Sequence, residues 1–145
     1  MTIKKPLRER FSAELLTIYQ QLDEEVAREK PMCRGCGTCC NFDTFDHVLY
    51  ASKIEVDFIL RNAKVPNFDI SDNKCPFLKD NHCSIREYRT LGCRIFYCDA
   101  SFREASHVLY EKYLRLLKEL GEKYQVEWNY ASFLHQLSPT YVTPR

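Results

Sequence analysis

The residues with the plainest chemistry in this chain are its eight cysteines, Cys33, Cys36, Cys39, Cys40, Cys75, Cys83, Cys93 and Cys98. All of them fall between Cys33 and Cys98 of a 145-residue sequence, and half are packed into Cys33-Arg34-Gly35-Cys36-Gly37-Thr38-Cys39-Cys40. A Cys-x-x-Cys unit sets two sulfurs on one tight turn, close enough to share a single ion. Gly35 and Gly37 suit that turn, since they admit positive φ and leave backbone N–H groups able to face sulfur. The unit repeats at once as Cys33-x-x-Cys36-x-x-Cys39. That period is closer to iron–sulfur ligation than to a zinc finger, which brings two pairs from separate turns. Cys75-Pro76 echoes the Cys-Pro ending of bacterial cluster motifs.

Adjacent side chains on an extended chain point in opposite directions, so Cys39 and Cys40 are expected to serve different centres. One partition gives Cys33, Cys36 and Cys39 to a first centre, completed by one of Cys75, Cys83, Cys93 and Cys98. Cys40 then joins the remaining three. A second partition, the first four sulfurs against the last four, stays open, because spacing does not decide between them. Four thiolates around a divalent ion leave excess negative charge, which Arg34, Arg86, Arg89 and Arg94 are placed to offset. His82 adjoins Cys83, but in an Asp80-Asn81-His82 turn it reads as an exposed bystander rather than a ligand.

Composition limits the alternatives. The net charge of +1 balances 21 basic against 20 acidic residues, and no block of one sign stands out. Neither a nucleic-acid patch nor a membrane-surface binder is expected. No run of 18 apolar residues suggests a transmembrane span. Residues 1–10 carry charge without an apolar stretch behind them, so no secretory leader is expected. The expected location is therefore the cytoplasm, where cysteines stay reduced and metal or redox chemistry explains them better than disulfides do.

The elements that must hold the sulfurs are helical. Phe11, Leu15, Ile18, Leu22 and Val26 recur at spacings of three and four, which predicts an amphipathic helix over about 7–29 ended by Pro31. The stretch 41–50 alternates poorly and reads as extended or loop. Ser52-Lys53-Ile54-Glu55 is a capping-box pattern opening a helix to about Asn62, with Ile54, Phe58 and Ile59 inward. Cys75 to Cys83 reads as two short arms around a polar turn. Ile85 to Leu91 predicts a helical turn or two stopped at Gly92. Ser101-Phe102-Arg103-Glu104 reads as a second capping box, opening a helix over about 102–123 with Phe102, Leu109, Tyr113, Leu116, Leu117 and Leu120 on one stripe. Trp128, Tyr130, Phe133, Leu134 and Leu137 predict a short helix folded back on the core. The fold class is thus mainly α. One domain over 1–145 is expected, with a loop-rich cysteine cluster at about 33–99 between N- and C-terminal amphipathic helices.

Cys33-x-x-Cys36-x-x-Cys39-Cys40, Cys75-Pro76-Phe77-Leu78, Cys83-x-Ile85, Arg89 and Cys93-Arg94-x-Phe96-x-Cys98 together resemble the CxxCxxCC (YkgJ-type) cysteine-cluster family of zinc- or iron-chelating domains. The resemblance covers about Cys33 to Asp99. The family pattern usually has Arg-Pro where this chain has Arg89-Thr90, and often a proline where it has Tyr97; neither change removes a sulfur. A related cluster occurs in flagellin lysine methylases, but no recognisable methyl-donor site accompanies it here. The resemblance implies chelation of zinc or iron; with the Cys-x-x-Cys-x-x-Cys period, the cofactor expected is an iron–sulfur cluster of 4Fe-4S type, or zinc.

No His-Glu-x-x-His, P-loop, Gly-x-Gly-x-x-Gly or Gly-x-Ser-x-Gly occurs, so no catalytic residue is assigned. Two function classes follow. One is an iron–sulfur protein in electron transfer or redox support. The other is a zinc-stabilised, non-catalytic adaptor or metal carrier, for which the sequence names no protein partner. A thiol-redox enzyme is the weaker third, since no βαβ unit carries the Cys-x-x-Cys.

Overall fold

Phe11, Leu15, Leu22 and Val26 are buried along one face of the first helix, α1 (Lys5–Glu29), as their spacing predicts. Tyr19 joins them, fully buried. The computed structural model describes residues 5–31, 48–80, 82–97 and 99–141. Among the described residues the order continues β1 (Tyr50–Ser52), α2 (Lys53–Asn62), β2 (Leu78–Lys79), β3 (His82–Cys83), α3 (Leu91–Ile95), α4 (Arg103–Lys123), β4 (Tyr130–Ser132) and α5 (Phe133–Leu137). The architecture is mainly α, as expected. The stretch 41–47 and the first cysteine run lie outside the described residues. No described helix is long and apolar enough to cross a membrane.

The frame is the pair α1 and α4, packed against each other. Lys112 and Tyr113 reach Glu25, while Lys123 and Tyr124 reach Glu14, so the two helices run antiparallel. Phe11 meets the Tyr124 ring edge-on at 5.3 Å. Leu15 and Leu22 are wholly removed from water, each contributing about 1.5–3 kcal/mol of burial. Leu91 and Ile95 of α3 insert into the same cluster.

A second apolar cluster gathers Val56, Ile59, Cys75, Phe77, Ile85, Phe133, Leu134 and Leu137 around α2, the β2–β3 hairpin and α5. Tyr88 packs against both clusters. Strands β1 and β4 pair antiparallel with Ala51 opposite Ala131. Gln136 locks that ribbon by donating to Ala51 O at 2.8 Å and Ala131 O at 3.0 Å. Phe133 N–H reaches Leu49 O at 2.8 Å, one step beyond the ribbon.

Two expectations need correction. Gly92 does not stop a helix; it lies inside α3, which starts at Leu91 after a 3-10 turn at Arg86–Tyr88. Its lack of a side chain makes room for a neighbour, since a Cβ there would stand 2.6 Å from Leu49 Cδ1. Ser101 does not open α4. Its N–H and hydroxyl turn back to Asp99 Oδ1 at 3.0 and 2.6 Å, making a 3-10 turn over Ala100–Phe102 before the helix begins. The stripe that follows is as expected, with Leu109, Tyr113, Leu117 and Leu120 buried and Leu116 half-buried.

Candidate metal centre

Of the cysteines singled out by spacing, Cys75, Cys83 and Cys93 are among the described residues. Cys33, Cys36, Cys39, Cys40 and Cys98 are not. Cys75 and Cys83 are free thiols at the two ends of the hairpin; Cys75 is buried and Cys83 half-buried. Cys75 O accepts from Leu78 N–H at 3.1 Å, and Leu78 stands opposite Cys83 in the ladder. Asp80 takes φ of 49° in the loop, the left-handed conformation that two-residue hairpin loops favour. The polar turn thus folds back as predicted. His82 is exposed, in keeping with the bystander reading.

Cys93 is carried on α3, a five-residue helix whose start is held from several sides. Thr90 caps it, Oγ1 accepting from Cys93 N–H at 3.4 Å. The same hydroxyl donates to Cys93 Sγ at 3.3 Å. Leu91 N–H, the first of the helix, goes to Glu55 Oε2 at 2.6 Å. Glu55 is only 1% exposed. It also accepts from Tyr19 Oη–H (2.7 Å), from the Ser52 hydroxyl (2.8 Å) and from Ser52 N–H (3.4 Å). A buried carboxylate survives only when surrounded by donors, and here those donors come from α1, from the start of α2 and from α3. Burial, reinforced by Glu55, pushes the Tyr19 phenol well above the ordinary tyrosine range.

Arg94 was expected to offset thiolate charge. Its guanidinium is occupied elsewhere. It donates to Arg89 O at 2.8 Å, to Glu87 O at 2.6 Å and to Asp23 of α1 at 2.7 Å, and it stacks 4.0 Å over the Tyr19 ring. Burial lowers its pKa, with Asp23 pulling the other way. Arg94 therefore clamps α3 and the preceding 3-10 turn onto α1. Arg86 is exposed, and its carbonyl accepts from Arg89 Nε at 3.1 Å; Arg34 is outside the described residues. Tyr88 lies edge-on to Phe58 and Tyr97 edge-on to Phe102.

Glu55 and Thr90 are the site-supporting residues that sequence reasoning missed. Glu55 was legible only as half of a capping box, and Thr90 only as a departure from a family pattern. A cleft of about 670 Å³ opens beside α3, with Leu49, Gly92, Tyr97, Phe102, Tyr110 and Tyr130 on its walls. Among the described residues, no three His, Cys, Asp or Glu side chains are grouped closely enough to hold an ion. The donors themselves fit a thiophilic ion: thiols on a tight hairpin and a capped turn, one of them receiving a hydroxyl proton.

The three described cysteines stand on short turns inside a helical frame. The class of the domain comes from the family comparison. Residues 32–113 match the sequence model of the CxxCxxCC family, whose description is "Putative zinc- or iron-chelating domain". That span is more than half of the chain, and the chain belongs to this family. It takes in every cysteine and the first half of α4, while α1 and the β4–α5 segment lie outside it. No curated protein and no solved structure matches the chain.

Proposed function

We propose that the chain binds iron through Cys33, Cys36, Cys39, Cys40, Cys75, Cys83, Cys93 and Cys98 as one folded unit over 1–145, in a reducing cytosol. The form proposed is an iron–sulfur cluster of 4Fe-4S type serving electron transfer or redox support. When bound, such a cluster supplies one-electron chemistry; the chain supplies the sulfurs, their orientation and their shielding from water. The observation that carries the reading is where the chain stands on either side of the first cysteine run. Before it, Asp23 on α1 is bound to Arg94, the residue after Cys93. After it, Leu49 lies against Gly92, the residue before Cys93. Both flanks of the run are thus tied to the turn that presents Cys93.

One observation favours zinc as the second reading. Cys75 belongs to the hairpin cluster and Cys83 packs against it, whereas Leu91 and Ile95, beside Cys93, belong to the α1–α4 cluster. An ion held between them would cross-link two cores, which is the work of structural zinc. Anaerobic purification followed by elemental and acid-labile sulfide analysis separates the two. Iron with matching sulfide and a broad visible charge-transfer band supports the cluster. Colourless protein with stoichiometric zinc supports the cross-link and an adaptor or carrier role. Protein with neither metal, that takes up neither on anaerobic loading, overturns both.

A further inference from the structure

Thr90 is completely buried, one residue ahead of α3. Its Oγ1 accepts from Cys93 N–H at 3.4 Å, and its proton goes to Cys93 Sγ at 3.3 Å. A hydroxyl has one proton and two lone pairs, so both bonds form at once and the proton is committed to sulfur. The threonine has little freedom to do otherwise. Its β-branched side chain is stiff at χ1, Leu91 N–H is held by Glu55 at 2.6 Å, and Arg89 O is held by Arg94 at 2.8 Å. Capping alone needs an acceptor only. The second bond, back to the side chain of the same residue, is what distinguishes this cap.

We propose that Thr90 is a positioning residue for Cys93 in its metal-bound form: the hydroxyl fixes the direction of Sγ and donates a hydrogen bond to the coordinated sulfur. The proposal rests on Cys93 being a ligand, as argued above. Groups that hydrogen-bond the side chains bound to a metal orient those side chains and set metal affinity, their loss typically costing about 10–100-fold. A donor on sulfur also withdraws electron density. That raises the energy of sulfur-to-metal charge transfer and, in an iron centre, the reduction potential.

The test loads the full chain anaerobically with cobalt(II), a visible reporter of thiolate sites, and reads affinity by chelator competition alongside the sulfur-to-cobalt band. Thr90→Val is expected to lose about 10–100-fold in affinity and to move the band to lower energy. Thr90→Ser, which keeps the hydroxyl, restores both. Thr90→Gly removes the hydroxyl at a position where helix N-caps tolerate glycine well, and reports the same change should the valine variant fail to fold. The proposal is overturned if the folded variants without the hydroxyl keep wild-type affinity and spectrum and lose only thermal stability, the signature of a mere cap. If the unmutated chain takes up neither cobalt, zinc nor iron, the metal-binding reading falls and this proposal with it. If it binds but the variants bind alike, only the role of Thr90 falls.

Discussion

Tyr19 Oη donates to Glu55 Oε2 at 2.7 Å, joining α1 to the first turn of α2 in the interior. The same carboxylate oxygen takes the Leu91 N–H, so one buried group sets the position of the helix that carries Cys93. Three elements far apart in sequence are thus referred to one side chain.

Glu55→Ala should be among the most damaging single changes. It leaves the Tyr19 and Ser52 hydroxyls and the Leu91 N–H without their acceptor, at about 1–3 kcal/mol for each orphaned buried group. A loss of at least about 3 kcal/mol is expected from urea unfolding. Tyr19→Phe removes one donor and should cost about 1–2 kcal/mol. Equal, small losses for both variants would show that the carboxylate is not the hub.

Gly92 and Leu49 should be energetically coupled. A Cβ at 92 meets Leu49 Cδ1 at 2.6 Å, although alanine is otherwise the better helix former. Gly92→Ala is expected to destabilise the chain when Leu49 is present and to be neutral or stabilising in a Leu49→Ala background. A double-mutant cycle should return a coupling of about 1 kcal/mol or more; strictly additive effects would mean the two residues do not press on each other.

Metal removal should loosen the fold, because a site organised by folding returns its binding energy as stability. Chelation under reducing conditions is expected to lower the melting temperature, and Cys93→Ser or Cys36→Ser to reduce metal content and stability together. Full metal content with unchanged melting in either variant would remove that cysteine from the ligand set.

Alkaline pH should weaken the fold through its tyrosines. Burial raises the phenols of Tyr19, Tyr113 and Tyr130, the last to about 12. An unfolded tyrosine ionises at about pH 10. The folded state therefore holds these protons more tightly, and the stability they contribute is complete below about pH 10 and lost as pH rises through the folded values. The urea midpoint should fall across that window. In Tyr130→Phe the decline should be shallower, and a phenolate titration should lack one late-ionising group; an unchanged profile would contradict the assignment.

Helices that announce themselves by period were legible. The 3- and 4-residue spacing of Phe11, Leu15, Leu22 and Val26 marked α1, and Ser52 with Glu55 marked the start of α2, because both signals are local. The β1–β4 ribbon was not legible. Each strand is three residues long, too short for alternation to show, and its partner lies far along the chain. Ser101 was misread because a local acceptor, Asp99, competes for its hydroxyl. Glu55 was seen as a cap but not as a hub, since its other donors are 36 residues away in either direction. The cysteines stand out by type and spacing, and the family span contains them all. Spacing alone does not tell which of them would share an ion, because sharing depends on distances that spacing does not encode.

The bond from Phe133 N–H to Leu49 O gives the ribbon a temporal consequence. Ribosomes deliver every cysteine, and all of α1 to α4, before they deliver Tyr130–Ser132. A translation product halted at Lys123 would own all eight of these cysteines, yet the strand that fastens the stretch around Leu49 would still be unmade.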